Sequence, residues 1–167
     1  MDDLTLFAQA FRYPYPGQIE TLYSNTRTIV DFPGGQDLAK FAEKINALSL
    51  SDQEELYTRT LDLSPLTAPY VGYHVWGESY KRGEFMAILN KEMKTLDIDL
   101  GGELPDHLLP VLRYLHATPS PLPELIEILD QSLNSMIKSL KKGEEDNPYL
   151  FLFEALKQTL SAVKVEA

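Results

Sequence analysis

Apolar residues return every three or four positions along almost the whole of this chain, and no stretch of five or more alternates as a half-buried strand does. A polypeptide patterned this way buries its apolar surface by packing helix on helix, so the chain is predicted to be all-α. Leu4, Phe7, Ala8 and Phe11 make a first short stripe, closed by Tyr13-Pro14-Tyr15-Pro16-Gly17, where two prolines and a glycine break the helix. A second helix from about Gln18 to Val30 buries Ile19, Leu22, Tyr23 and Val30 in this reading. Pro33-Gly34-Gly35 separates it from a third helix with Leu38, Phe41, Ala42, Ile45 and Leu48 on one face. Ser51-Asp52-Gln53-Glu54 has the form of a capping box and marks the start of a fourth. That helix ends before Ser64-Pro65 and Ala68-Pro69, since each proline disfavours helix at the residue before it.

The fifth and longest helix is expected to span roughly Tyr70 to Leu96. It includes Gly77 and Gly83, each costing ~1 kcal/mol relative to alanine, so the pair implies close packing or a kink. After Gly101-Gly102, Asp106 is a candidate N-cap for a helix through His116, with Pro110 tolerated in its first turn. Leu122, Leu125, Ile126, Leu129, Leu133, Met136, Ile137 and Leu140 form the cleanest stripe in the chain. A charged loop from Lys141 to Asp146 follows; Asn147 caps and Pro148 opens the last helix, whose buried side carries Leu152, Phe153, Leu156, Leu160 and Val163. Eight helices joined by short loops, without repeat or low-complexity linker, predict one compact bundle and a single domain over residues 1–167.

Composition narrows the function classes. With 167 residues and 44% apolar content the chain can bury a core. Twenty-five acidic residues against fifteen basic leave a net charge of −10, which repels nucleic-acid phosphates and anionic lipid and suits a neutral or basic partner, unless the acidity serves solubility alone. The absence of cysteine excludes disulfides, thiolate metal sites and a cysteine nucleophile. Met1-Asp2-Asp3 is acidic where a secretory signal is basic, and no apolar run approaches the ~20 residues that span a bilayer, so a cytoplasmic protein without membrane insertion is expected.

Two blocks exceed what packing needs. In the block from Tyr57 to Glu84, Tyr70, Tyr73, His74, Trp76 and Tyr80 place five rings within eleven residues, with Tyr57 ahead of them and Arg59, Asp62, Glu78 and Arg82 interleaved through the block. Rings with polar handles suit the gripping of a peptide, and equally an aromatic-rich core. The second block is Glu103-Leu104-Pro105-Asp106-His107-Leu108. Asp106 reads as a cap or a recognition carboxylate, and His107 as a partly exposed recognition residue or a hydrogen-bonded structural one. A groove built from both blocks requires them to converge in space.

The string YTRTLDLSPLTAPYVGYHVWGESYKRGEF followed by ELPDHLLPVLRYL resembles the NarJ family, the delta-subunit or molybdenum-cofactor assembly chaperones of respiratory nitrate reductase. The YTRT-D block, the PY-x-GYH-x-x-GE block, the KRG triplet and the LPDHL block stand in the family's order and spacing, covering about Leu56 to Leu115. Leu61 replaces the usual Phe, Trp76 stands where Leu or Phe is common, and the last two helices carry no family motif. More distantly the chain is similar to the TorD and DmsD chaperones, in which an acidic residue and histidine placed like Asp106-His107 are implicated in binding twin-arginine leaders. The resemblance implies a TorD-like, monomeric fold that binds the N-terminal segment of the catalytic alpha subunit, delays its docking at the membrane and permits insertion of bis-molybdopterin guanine dinucleotide. That cofactor belongs to the client, and none is expected in the chaperone. The peptide-binding set implied is Tyr57, Arg59, Asp62, Tyr70, Tyr73, His74, Trp76, Glu78, Tyr80, Arg82, Asp106 and His107, with no catalytic or metal-binding residue.

An enzyme must draw on His74, His107 and His116. His74 and Glu78 stand one helical turn apart if the helix is continuous, as two ligands of a hydrolase metal site would. No HExxH, paired histidines or phosphate loop accompanies them. A permanent adaptor subunit of another molybdoenzyme complex is the third reading.

Overall fold

The computed structural model describes residues 3–28 and 31–166, the side chains of residues 28 and 163–166 excepted. Their regular structure is helical: α1 (Asp3–Ala10), α2 (Gln18–Thr28), α3 (Gly35–Asn46), α4 (Leu50–Tyr57), a π-helical turn (Thr58–Asp62), α5 (Val71–Trp76), α6 (Tyr80–Thr95), α7 (Leu108–Ala117), α8 (Pro123–Gly143) and α9 (Tyr149–Glu166). The fold is all-α, as the apolar periodicity predicts. Among the described residues no helix is long and apolar enough to cross a membrane.

The chain divides into two compact units. The first comprises Met1–Phe11 and Pro69–Met136. Here α1 packs on α7; Leu6 and Phe7 of the one and Leu108, Val111 and Leu112 of the other are fully buried. Each such side chain contributes roughly 1.5–3 kcal/mol by leaving water. Leu4, expected on this stripe, is only half-buried, whereas Leu6 and Ala10, one turn apart, join the buried face.

The long helix expected from Tyr70 to Leu96 is two helices. Gly77 has φ 62 and ψ −143, a conformation that a side chain makes costly, and it ends α5 after six residues. Glu78 and Ser79 lie outside the helices, and α6 then buries Phe85, Leu89 and Met93 at four-residue spacing. The longest helix is α8, with 21 residues. In its first part Leu125, Ile128, Leu129, Leu133 and Met136 are buried, while the expected Ile126 is half-buried. Ser132 shares that buried face because its hydroxyl donates to the Val71 carbonyl at 2.7 Å.

The second unit comprises Arg12–Ala68 and Ile137–Ala167. Helix α3 packs against both α2 and α9, burying Leu38, Phe41, Ala42 and Ile45. Leu48, Tyr23 and Leu160 are half-buried rather than buried; Val30 and the Val163 side chain lie outside the described residues. The capping box expected at Ser51 is displaced. Ser49 is the N-cap of α4, its hydroxyl accepting from the Asp52 amide at 3.2 Å, and Ser51 sits inside the first turn. Ser49-x-x-Asp52 offers the same cap spacing two residues earlier, and the helix starts at the first one available. Asn147 caps α9 as predicted, Oδ1 accepting from the Tyr149 amide at 2.9 Å.

Candidate functional site

In the first unit the two motif blocks meet. Tyr70 and His107 form an isolated antiparallel bridge: the Val71 amide donates to the Asp106 carbonyl and the Leu108 amide to the Pro69 carbonyl, both at 2.9 Å. The bridge brings the Tyr70 ring edge-on to the His107 imidazole with centroids 5.0 Å apart, and the Tyr70 hydroxyl donates to Glu103. Convergence of the aromatic block with the LPDHL block, required by a shared groove, therefore holds for Tyr70 and Arg82.

Asp106 and His107 are not at a rim. Asp106 is fully buried. Arg82 donates to both of its carboxylate oxygens, Nε to Oδ2 at 2.9 Å and Nη2 to Oδ1 at 3.2 Å. The guanidinium also stacks within 5.7 Å of the Tyr70 ring centroid and 5.6 Å of that of Tyr73. This fork geometry satisfies a charge that could not be buried alone. Gly72 is part of the arrangement: a Cβ there would stand 2.8 Å from Asp106 Oδ2.

The cap of α7 is His107, not Asp106. Its backbone is extended, and its Nδ1 accepts from the Leu109 amide at 3.0 Å. Asp106, one residue earlier, turns both its oxygens to Arg82 instead. His107 is 2% exposed, and burial lowers its pKa to about 4 against the opposing pull of the Asp106 charge. Of the two readings left open for His107, the structural one describes its position.

The remaining rings divide between packing and surface. Trp76 tilts against buried Phe85 at 5.1 Å, with the Lys81 ammonium 5.6 Å from its ring. Tyr73 and His74 are half-buried, edge to face at 5.9 Å, while Glu78 and Tyr80 are exposed. The break at Gly77 removes the His74–Glu78 helical pair on which the metal-site reading rested. Among the described residues no group of three or more histidine, aspartate or glutamate side chains is placed to hold a metal ion.

The YTRT block belongs to the second unit. Thr58 to Asp62 form the π-helical turn, closed by the Leu63 amide donating to the Thr58 carbonyl at 2.9 Å. Single π-helical turns of this kind recur at functional sites. Thr60 inside it is anchored: its hydroxyl accepts from Asn147 Nδ2 at 2.8 Å, and its carbonyl takes the Thr67 hydroxyl. Tyr57 is buried, 5.2 Å from Tyr13 and 6.4 Å from Tyr149, so its ring packs in the core.

Beside the turn lies a depression of about 400 Å³ lined by Tyr13, Glu54, Glu55, Thr58, Arg59 and Leu63. Arg59 is held between Glu55 at 3.0 Å and Glu144 at 3.1 Å. Tyr13 donates its hydroxyl to Glu54 at 3.0 Å, and that bond raises the phenol pKa. Leu63 is 73% exposed and Leu66 65%. The walls thus join apolar area to carboxylates, which suits a ligand both apolar and basic. Of the lining residues, sequence reasoning named Arg59 as a site residue, held Thr58 and Leu63 only within its Tyr57–Glu84 block, and missed Tyr13, Glu54 and Glu55. The available signal was Leu63, an apolar residue off any helical stripe, next to Ser64-Pro65.

No model of a known protein family matches the chain, and no curated protein matches it.

Proposed function

We propose that this chain is a cytoplasmic assembly chaperone of the NarJ type, TorD-like in fold, that catalyses nothing itself. It binds the N-terminal segment of the catalytic alpha subunit of a respiratory nitrate reductase or a related molybdoenzyme. By holding that segment it keeps the subunit from docking early at the membrane while the client's own molybdenum cofactor is inserted. The observation that carries the reading is the depression beside the π-helical turn, where exposed Leu63 and Tyr13 adjoin Glu54 and Glu55. An N-terminal segment that is apolar and basic together is complementary to such walls. The motif resemblance is its other support: the TRT of the YTRT string lies in the turn, and the GYH, KRG and LPDH strings meet at the junction of the first unit.

The test is affinity capture with the tagged chain from cells making a molybdoenzyme, before and after cofactor loading. A chaperone brings down the cofactor-free catalytic subunit through its N-terminal segment and releases the loaded one. An adaptor subunit stays with the finished complex, and that outcome would replace the chaperone reading.

A further inference from the structure

The depression beside the π-helical turn already contains a cation. Arg59 lies on its wall, held between Glu55 and Glu144, and its side chain remains 47% exposed. Around it Glu54, Glu55 and Glu144 outnumber the guanidinium, and Asp62 lies close enough for its charge to act on Tyr13. Exposed ion pairs of this kind are each worth no more than about 1 kcal/mol, so water or a competing cation displaces them easily. Carboxylates also keep lone pairs beyond those Arg59 and Tyr13 use. Tyr13 holds Glu54 in place from the other wall, and Leu63 supplies open apolar area beside the carboxylates.

We infer that this depression seats a basic side chain of a bound peptide next to an apolar one, and that Arg59 is the internal cation which the peptide's arginine or lysine displaces from Glu55. The inference rests on the peptide-holding reading above and adds to it a location and a specificity device. Arg59 sets a threshold. A peptide without a cation leaves the Arg59–Glu55 pair intact and gains only the apolar contact with Leu63. A basic peptide exchanges one ion pair for another and gains the apolar contact as well, so Arg59 weakens basic ligands selectively.

The test uses the full chain and a fluorescein-labelled amphipathic peptide of leucine, alanine and arginine, beside the same peptide with every arginine replaced by neutral citrulline. Anisotropy titrations are run at low ionic strength. Arg59→Gln is expected to bind the arginine peptide about fivefold tighter, the size of one exposed ion pair, with the citrulline peptide unchanged. Glu55→Gln removes the pair lost and the pair gained alike, so it is expected to leave the arginine peptide near its wild-type affinity and, combined with Arg59→Gln, to abolish the tightening, while Leu63→Ser weakens both peptides. Lys138→Gln, the same charge change at an exposed position on α8, controls for overall charge. Equal tightening by Lys138→Gln and Arg59→Gln, or no tightening by Arg59→Gln, overturns the inference. If the peptides bind with equal affinity and Arg59→Gln has no effect, the cation subsite falls and the peptide-holding reading stands. If neither peptide binds the wild type or Arg59→Gln, both fall.

Discussion

Protonating His107 should cost this protein stability as pH falls from 6.5 to 4. Nδ1 accepts the Leu109 amide hydrogen at 3.0 Å, so the neutral ring carries its proton on Nε2. A proton on Nδ1 would turn the cap into two opposed donors inside a site that is 2% exposed. With a folded pKa of about 4 against 6.5 in the unfolded chain, the unfolded state binds the extra proton across that window. The contribution is therefore fully present above pH 6.5 and lost as pH falls to about 4, a change of about 3 kcal/mol. His107→Asn keeps a side-chain oxygen to cap α7 and removes the titration. Its smaller volume lowers stability by an amount that does not vary with pH. Urea unfolding followed by circular dichroism at pH 7, 6, 5 and 4 measures the difference. With a slope of roughly 2 kcal/mol per molar, the wild-type midpoint should fall about 1.5 M further than that of the variant. Protonation of carboxylates remote from position 107 is common to both proteins and cancels. Parallel midpoints from pH 7 to 4, or an NMR titration placing the His107 pKa near 6.5, would refute the capping argument.

Asp106→Ala should destabilise the chain by about 3 kcal/mol or more at pH 7, because it leaves the Arg82 guanidinium in a mostly buried site without its partner; denaturant midpoints check this. Asp106 thus acts on folding before it can act on binding. Gly77→Ala and Gly83→Ala should move stability in opposite directions although a Cβ meets nothing within 4 Å at either position. Alanine at Gly77 must adopt φ 62 and should cost about 1–3 kcal/mol, whereas at Gly83, inside α6, it should stabilise by about 0.5–1 kcal/mol. Thermal melts of the two variants suffice.

The same two glycines show where the fold was legible in sequence and where it was not. Helical periodicity marked α3, α8 and α9 and most of their core positions, since Phe41, Leu125 or Leu156 leaves water whichever neighbour receives it, but it joined α5 and α6 into one helix. Periodicity is silent on backbone conformation, so Gly77, which ends a helix, and Gly83, which sits inside one, read alike. Caps failed for a related reason. Ser49 and Ser51, or Asp106 and His107, satisfy the same local pattern, and the choice between the latter two was made by Arg82, 24 residues away. Of the candidate residues, Tyr57, Asp106 and His107 are buried, which their local pattern did not reveal. Arg59 and Asp62 gained a setting only once the π-helical turn had brought Tyr13 and Glu54 beside them. A pairing across 41 residues leaves no trace in local pattern.

The most direct test of the central claim is calorimetric titration of the purified chain with the N-terminal peptide of a molybdoenzyme catalytic subunit, beside a peptide from that subunit's C-terminus. The account predicts saturable one-to-one binding of the N-terminal peptide alone, weakened by Leu63→Ser in a variant with native circular dichroism. Absence of binding by the folded wild-type chain, or equal binding of both peptides, would contradict it.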